Sequence, residues 1–356
     1  MSRGDVTRGG LLSRRAVLVV GAALLAVGSR ALAAEAKTRP ALGAAPVKAQ
    51  SSPPHATPTM PPPLPFIGAP VPDVALHPAA LPTLQSFALL PQTGEWYTTQ
   101  ARTGTNRRSD PAGLEVGDIV VSRLAPDGSL LDSMALPDSG HGMGLIVRME
   151  AGVRVVYSCW FAPDASGRLY DVVRLPYAPG VATRGAATTV VPGVGYPLDA
   201  SLDVSTDAVT VRHQGGGGPE YTRHDWSDFA VGNLSRPTGQ IATADWPPTH
   251  QGFCSFGDRF FFYTGAASSE AGGDPVLITE YSWASGEPVG RPVDASGNSR
   301  RPDGTYVGGR MEPEGAAIIT DQDGAPSLLV GVANGTASAA TVPRSYRTFR
   351  YPLVAR

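Results

Sequence analysis

The 356-residue sequence has little of several features that would place it in other protein classes. It has two cysteines, too few for a disulfide-rich scaffold or for a structural zinc site on their own. Beyond the N-terminal region it has no apolar run of the roughly 20 residues that a membrane span needs. Its formal net charge of −2 gives no electrostatic case for binding nucleic acid or an anionic lipid surface.

The first 34 residues have the organisation of an export signal. Ser13-Arg14-Arg15 precedes an apolar run from Ala16 to Val27, and the small residues Ala31-Leu32-Ala33 follow. A basic segment, a short apolar segment and a small-residue cleavage pattern, in this order, predict a signal peptide over residues 1–34. The paired arginines resemble a twin-arginine signal, and ordinary secretory export remains the alternative. We therefore expect a secreted protein, associated with the cell wall, whose partners include the export machinery.

Residues 35–82 are rich in proline. Between Lys37 and Pro82 there are 13 prolines and one aromatic residue, Phe66. Such a composition cannot bury enough apolar surface to fold and favours extended polyproline II conformations. We predict a disordered, semi-rigid linker between the signal peptide and a folded domain over residues 83–356.

The pattern beyond Leu84 predicts an all-β domain. Short β-branched and aromatic runs alternate with Gly, Pro, Asp and Ser turn signals. The segment from Gly117 to Met134, for example, predicts two strands joined by the turn Pro126-Asp127-Gly128-Ser129. No amphipathic stripe of period 3.6 is long enough to predict a substantial helix.

The strands also recur in five units. Their anchor residues, Ala88, Leu145, Leu202, Phe253 and Ala316, are 57, 57, 51 and 63 residues apart. Four strands with their turns fit this spacing, which predicts a five-bladed β-propeller; a two-sheet sandwich is the alternative.

Cys159 and Cys254 both lie in apolar, strand-like runs. Buried thiols pack as small hydrophobic groups, so we expect two free, buried cysteines. A Cys159–Cys254 disulfide stays open as the less favoured alternative, because export would permit it.

Several short motifs, in order along residues 84–351, resemble one known family. They are Leu84-Gln85-Ser86-Phe87, the Gly117–Met134 hairpin, Ser139-Gly140-His141-Gly142, Gln251-Gly252-Phe253 and Glu312-Pro313-Glu314-Gly315. Together they resemble the β-propeller domain shared by TagC-like teichoic acid biosynthesis proteins and the receptor-binding proteins of P68-type staphylococcal phages. The resemblance implies recognition of wall teichoic acid or a related cell-wall glycopolymer at the cell surface.

The candidate binding residues lie at the beginnings of predicted inner strands. They are His141, Gln251, Arg310, Glu312 and Glu314. In a propeller these positions surround the central channel, where polar side chains either bind a ligand or satisfy backbone groups of converging strands. Glu312 and Glu314 are two positions apart, so an extended strand would place both carboxylates on one face. In the family an arginine directly precedes the Glu-Pro-Glu-Gly motif, whereas here Met311 stands there and Arg310 is one residue earlier.

Two other functions remain open at this point. The first is a hydrolase or transferase that acts on a wall polymer, with Glu312, Glu314 or His141 as the acid or base. The second is a propeller that binds proteins. The sequence favours a binding module, because it has no nucleophile elbow and no other catalytic set with recognisable spacing. The glycine run Gly215 to Gly218 lacks the lysine and the helix that follow the glycines of a phosphate loop. We expect no cofactor and no metal.

Overall fold

The structure is a computed structural model that describes fourteen parts of the chain. These are residues 69–70, 80–102, 108–109, 115–140, 142, 144–161, 170–194, 199–215, 218–242, 250–265, 276–295, 311–320, 325–334 and 345–353. The predicted signal peptide, His141 and Arg310 lie outside these residues. Within the described parts, no helix is long and apolar enough to cross a membrane.

The described residues form 23 strands and one single-turn α-helix. The first seven strands are β1 Ala69–Pro70, β2 Ala80–Leu90, β3 Glu95–Arg102, β4 Arg108–Ser109, β5 Glu115–Val116, β6 Ile119–Leu124 and β7 Leu130–Leu136. The next nine are β8 Ile146–Glu150, β9 Val153–Phe161, β10 Tyr170–Pro176, β11 Gly180–Val181, β12 Thr188–Val194, β13 Asp199–Asp203, β14 Ala208–Gly215, β15 Gly218–Asp225 and β16 Gly239–Ala242. The last seven are β17 His250–Phe256, β18 Arg259–Thr264, β19 Leu277–Ser282, β20 Val293–Asp294, β21 Met311–Thr320, β22 Pro326–Asn334 and β23 Ser345–Pro352. Helix α1 spans Trp226–Phe229, and a short 3₁₀ turn spans Arg184–Ala186.

These strands form the five blades of a β-propeller, as the sequence predicts. From the inner strand outward, the strand orders are β2-β3-β6-β7-β11, β8-β9-β10-β12, β13-β14-β15-β16, β17-β18-β19-β20 and β21-β22-β23-β1. We number these sheets blades 1 to 5. Each of the five anchor residues lies in, or directly before, the inner strand of its blade.

The ring is closed by strands from both ends of the described chain. Ala69 and Pro70 pair with Arg350 and Phe349 of β23, which makes β1 the outer strand of blade 5. A proline is tolerated at this edge position, because no further strand needs its missing N–H. Both β1 and the beginning of β2 fall within residues 35–82, the segment predicted to be linker; the signal and linker limits themselves remain predictions.

The blades are packed together by apolar clusters between neighbouring sheets. One cluster joins blades 4 and 5 and includes Cys254, Tyr263, Met311 and Val330, while another joins blades 5 and 1 and includes Leu84 and Ile319. Cys159 and Cys254 are both buried and are not joined in a disulfide, and they belong to different clusters. In blade 3, Gly215 at the end of β14 pairs with Gly218 at the beginning of β15.

Glycines allow the inner strands to approach one another at the axis. A methyl group added at Gly252 in blade 4 would lie 2.7 Å from the backbone nitrogen of Ala316 in blade 5. Gly315 has a φ of +71°, and a methyl group there would lie 2.8 Å from the Phe87 ring of blade 1. The contact between blades 4, 5 and 1 therefore depends on residues without a side chain.

We expect Gly252→Ala to destabilise the propeller by about 1–3 kcal/mol, because the added methyl group meets backbone atoms that cannot move aside. Gly185→Ala is the matched control, since a methyl group at Gly185 has no neighbour within 4 Å. Urea unfolding of the purified variants measures both effects. Equal unfolding midpoints for the two variants would contradict the proposed close packing at the axis.

Candidate functional site

The inner strands of all five blades surround a channel with two open ends and a narrow centre. At the narrow centre, which we call the waist, a cavity of about 20 Å³ is of the size of one water molecule. The waist is lined by Ser86, Phe87, Leu145, Ala200, Ser201, Gly252, Phe253, Gly315 and Ala316. We call the end where the inner strands begin the upper mouth and the end where they finish the lower mouth.

The described motif residues of the upper mouth lie at β-bulges. In β2, Leu84 and Ser86 pair with the adjacent residues Gln100 and Thr99, so Gln85 is the extra residue. In the same way Gln251 is the extra residue of β17, between His250 and Gly252. Bulges bend a strand and redirect its side chains, and they are frequent next to functional sites.

The Glu-Pro-Glu-Gly motif forms a third bulge of this kind. Pro313 pairs with Val332 and Ala316 pairs with Val330, so Glu314 and Gly315 together face one residue, Gly331. The Tyr346 hydroxyl donates a 2.7 Å hydrogen bond to the Glu314 carbonyl. A methyl group on Gly331 would overlap that tyrosine oxygen, which explains a glycine opposite the bulge.

This bulge interrupts the regular strand on which Glu312 and Glu314 were expected to share one face. Met311, before the bulge, and Ala316, after it, both pack into the cluster between blades 4 and 5, so the side-chain alternation shifts by one residue. Glu312 is half-buried, whereas Glu314 is only 4 % exposed. Burial raises the pKa of the Glu314 carboxyl well above its ordinary value. The two carboxyl groups therefore have different environments.

Gln251 and Gly142 have structural contacts at the upper mouth. The Gln251 side-chain amide donates a 2.8 Å hydrogen bond to the Gly265 carbonyl, which fixes the bulge to the next strand. The Gly142 carbonyl accepts hydrogen bonds from Ser86 Oγ at 2.9 Å and Thr99 Oγ1 at 2.5 Å, which joins blade 2 to blade 1. These contacts support the structural role of the motifs and leave their ligand-binding role as a prediction.

The residue before Gln251 is His250. A histidine at the beginning of a strand is usually at the surface, but this one is buried between blades 3 and 4. Its side chain is 8 % exposed and stacks on Phe262 at 5.6 Å between ring centroids. Its Nδ1 lies 3.4 Å from Arg212 Nη1, and that guanidinium also contacts Asp199 Oδ2 at 3.0 Å. Burial, and secondly the positive charge of Arg212, hold the His250 pKa well below its ordinary value.

The lower mouth holds a larger cavity, of about 340 Å³, which is within the size range of small-ligand sites. All five blades contribute to its lining: Pro91, Gln92, Val147, Arg148, Met149, Leu202, Val204, Ser205, Asp207, Phe256 and Thr320. Apolar side chains from four blades lie beside polar groups in this set. Like the waist, this cavity is lined by residues of every blade.

A charged cluster on the same side of the ring fixes blades 1 and 2 to each other. Arg154 of blade 2 makes two hydrogen bonds to the Glu95 carboxylate of blade 1, at 2.7 and 2.8 Å. Arg123 also contacts Glu95, at 3.0 Å, and binds Asp132 through two nitrogens. Hydrogen bonds from Arg154, and after them the Thr93 side chain and the positive charges of Arg154 and Arg123, hold the Glu95 pKa below its ordinary value, against the effect of burial. This cluster keeps two walls of the lower mouth in a fixed relation.

The sequence predictions missed the lower mouth. Arg148, in the inner strand Ile146–Glu150, contacts Trp226 and Asp207, which are more than 50 positions away in blade 3. One signal was present, since Arg148 interrupts the apolar run Leu145-Ile146-Val147 on a strand predicted to line the channel. Its partners depend on how blades 2 and 3 pack, which the strand pattern does not specify.

Comparison with known proteins agrees with this architecture. Residues 83–188 match the family model described as the phage 5-bladed beta propeller receptor binding platform domain. The predicted family resemblance is confirmed. The tail fiber of Staphylococcus aureus phage P68 is similar in fold, with a TM-score of 0.60 and 19% identity, over 81% of this chain and 53% of the tail fiber.

A curated relative of this propeller is the putative major teichoic acid biosynthesis protein C of Bacillus subtilis (strain 168). It is 24% identical over 261 residues, which are 71% of this chain and 56% of the relative. The chain therefore matches a little over half the length of each of these two proteins. The comparisons support the propeller fold and the resemblance to these proteins.

We expect Glu314→Gln to stabilise the protein at pH 7.5 by about 1 kcal/mol or more. Because the folded-state pKa of Glu314 is raised, its contribution to stability is complete below the ordinary pKa and is lost as the pH rises. Glutamine resembles the protonated acid and does not titrate, so the gain should disappear near pH 4. Unfolding free energies at several pH values measure this, with Glu312→Gln as the half-buried control. A less stable Glu314→Gln at pH 7.5 would show that the carboxylate has a stabilising partner.

We expect the opposite pH dependence from His250. Its pKa is lowered in the folded state, so its contribution to stability is present above the ordinary value of 6.5 and is lost as the pH falls below it. The loss approaches about 1.4 kcal/mol per pH unit. His250→Gln removes this loss, so the stability difference between wild type and variant should be constant from pH 7 to 8 and should change between pH 6.5 and 5. The other titrating groups are the same in both proteins, so their effects cancel in this difference. A constant difference down to pH 5 would contradict the lowered pKa of His250.

Proposed function

We propose that this chain is an exported, TagC-like β-propeller that recognises wall teichoic acid or a related cell-wall glycopolymer at the cell surface. The proposal includes the twin-arginine type of signal over residues 1–34 and the proline-rich linker that follows it. It also assigns the binding of the polymer to the lower mouth. The upper-mouth residues His141, Gln251, Arg310, Glu312 and Glu314 remain candidates for further contacts.

The observation that carries the proposal is that residues from all five blades form the lower mouth. A cavity of about 340 Å³ that all five blades line is a concave surface that the propeller fold itself creates. It combines apolar walls, such as Met149 and Leu202, with amide and hydroxyl groups, such as Gln92 and Thr320. This mixture suits a sugar or polyol chain, whose carbon faces are apolar and whose hydroxyl groups need hydrogen-bond partners.

The family relationship supports the same biological setting. The matching family model is named for a receptor-binding platform, and the curated relative is named for teichoic acid biosynthesis. One name refers to binding at a surface and the other to a wall polymer. A surface-polymer recognition module is the function that accommodates both names.

We expect Val204→Trp to weaken binding to cell walls at least about tenfold, because the indole would fill the lower mouth. A tenfold loss of affinity corresponds to about 1.4 kcal/mol of binding free energy. Val204 lines the cavity and is 40 % exposed, so the larger side chain does not disturb the core. Val181→Trp is the matched control, since Val181 is exposed on the outer strand β11 of blade 1.

The measurement is retention of the purified protein on insoluble cell walls, before and after chemical removal of their teichoic acid. The proposal requires retention on intact walls, loss on stripped walls and loss with Val204→Trp but not with Val181→Trp. Equal retention on intact and stripped walls would contradict recognition of a teichoic acid. Equal behaviour of the two tryptophan variants would exclude the lower mouth as the binding site.

A further inference from the structure

The lower mouth contains a guanidinium group that an aromatic ring holds in place. The Arg148 Cζ atom lies 3.9 Å from the centroid of the Trp226 ring. Its Nη1 atom donates a hydrogen bond to Asp207 Oδ1, and the arginine side chain is 24 % exposed. We propose that Arg148 binds an anionic group of the polymer, so that the propeller selects polymers with charged repeats; this inference rests on the function proposed above.

The position of Arg148 is prepared by the packing of Trp226. This tryptophan, the first residue of α1, makes an edge-to-face contact with Tyr157 at 5.1 Å and a tilted contact with Phe229 at 5.6 Å. Its backbone N–H also donates a 2.9 Å hydrogen bond to the Asp207 carbonyl. A guanidinium stacked on a fixed ring loses little conformational freedom when it binds a ligand, which favours affinity.

The carboxylate of Asp207 occupies the place where an incoming anion would contact Arg148. The Asp207 side chain is 61 % exposed, and exposed ion pairs contribute only about 0–1 kcal/mol to stability. A ligand phosphate or carboxylate can therefore replace Asp207 at a small energetic cost. The guanidinium has five N–H donors in a planar fork, and two of them can bind two oxygens of one anion.

The walls of the mouth favour an anion that is part of a longer molecule. Leu202 and Met149 give apolar surface next to Arg148, while Gln92 and Thr320 give hydrogen-bonding groups on blades 1 and 5. A small inorganic anion would contact Arg148 alone. A chain in which anionic groups alternate with polyol or sugar units would contact all three kinds of surface.

Two single substitutions should change the affinity in opposite directions. The probes are a synthetic poly(glycerol phosphate) oligomer, polygalacturonate and neutral dextran, each titrated calorimetrically against the full-length mature protein. Arg148→Gln should weaken binding of poly(glycerol phosphate) about tenfold, because it removes a charge-assisted hydrogen bond. Asp207→Asn should strengthen it severalfold, because it removes the competing carboxylate. Neither variant should change the affinity for dextran.

Arg148→Lys keeps the positive charge but removes the planar set of N–H donors, so it should give an intermediate affinity.

The probes also distinguish the kind of anion. Stronger binding of poly(glycerol phosphate) than of polygalacturonate supports a phosphate group as the anion, and the reverse supports a carboxylate; both results support the inference. Unchanged affinity in both Arg148→Gln and Asp207→Asn, with binding still lost in Val204→Trp, overturns the inference and leaves polymer recognition intact. Absence of binding to every probe and to intact cell walls overturns both. Melting temperatures of the variants check that they are folded.

Discussion

The close approach of five inner strands at the axis is the constraint on which the rest of the structure depends. Gly252 and Gly315 let the backbones of blades 4, 5 and 1 come together where any side chain would collide. The approach leaves a waist of about 20 Å³, which divides the channel into two separate mouths. It also accounts for the bulges of the inner strands, because an extra residue lets a strand bend toward the axis while the outer strands keep their pairing.

The two mouths differ in what their polar groups do. At the upper mouth the described motif residues are engaged with the protein itself: Gln251 binds a carbonyl of its own blade, and the Glu314 backbone accepts a bond from Tyr346. At the lower mouth, Arg148 is held by a ring and by an exposed carboxylate, an arrangement that a ligand can replace. A motif that identifies the family can therefore be a feature of the fold, while the residues that we propose as ligand contacts lie at the opposite end of the same strands.

Much of the fold could be predicted from the sequence because its determinants are local. Period-two alternation, turn residues and the spacing of the five anchors depend on neighbouring positions, and they correctly predicted an all-β propeller of five blades. The bulge at Glu314 and Gly315 could not be predicted, because it depends on Gly331 and Tyr346, which belong to other strands. The burial of His250 and the platform under Arg148 likewise require contacts between blades, and a single sequence without relatives contains no record of such contacts.

The narrow waist also limits how the protein can hold a long molecule. Ring-shaped proteins with an open hole can encircle a polymer and slide along it, and they release it only at a free end or by opening. Here the side chains and backbone of five strands fill the hole, so no chain can pass from one face to the other. A polymer bound to this propeller must lie across one face, where any internal segment is as accessible as a terminus. Attachment and release can then occur anywhere along the polymer, and many copies of the protein can bind one chain side by side.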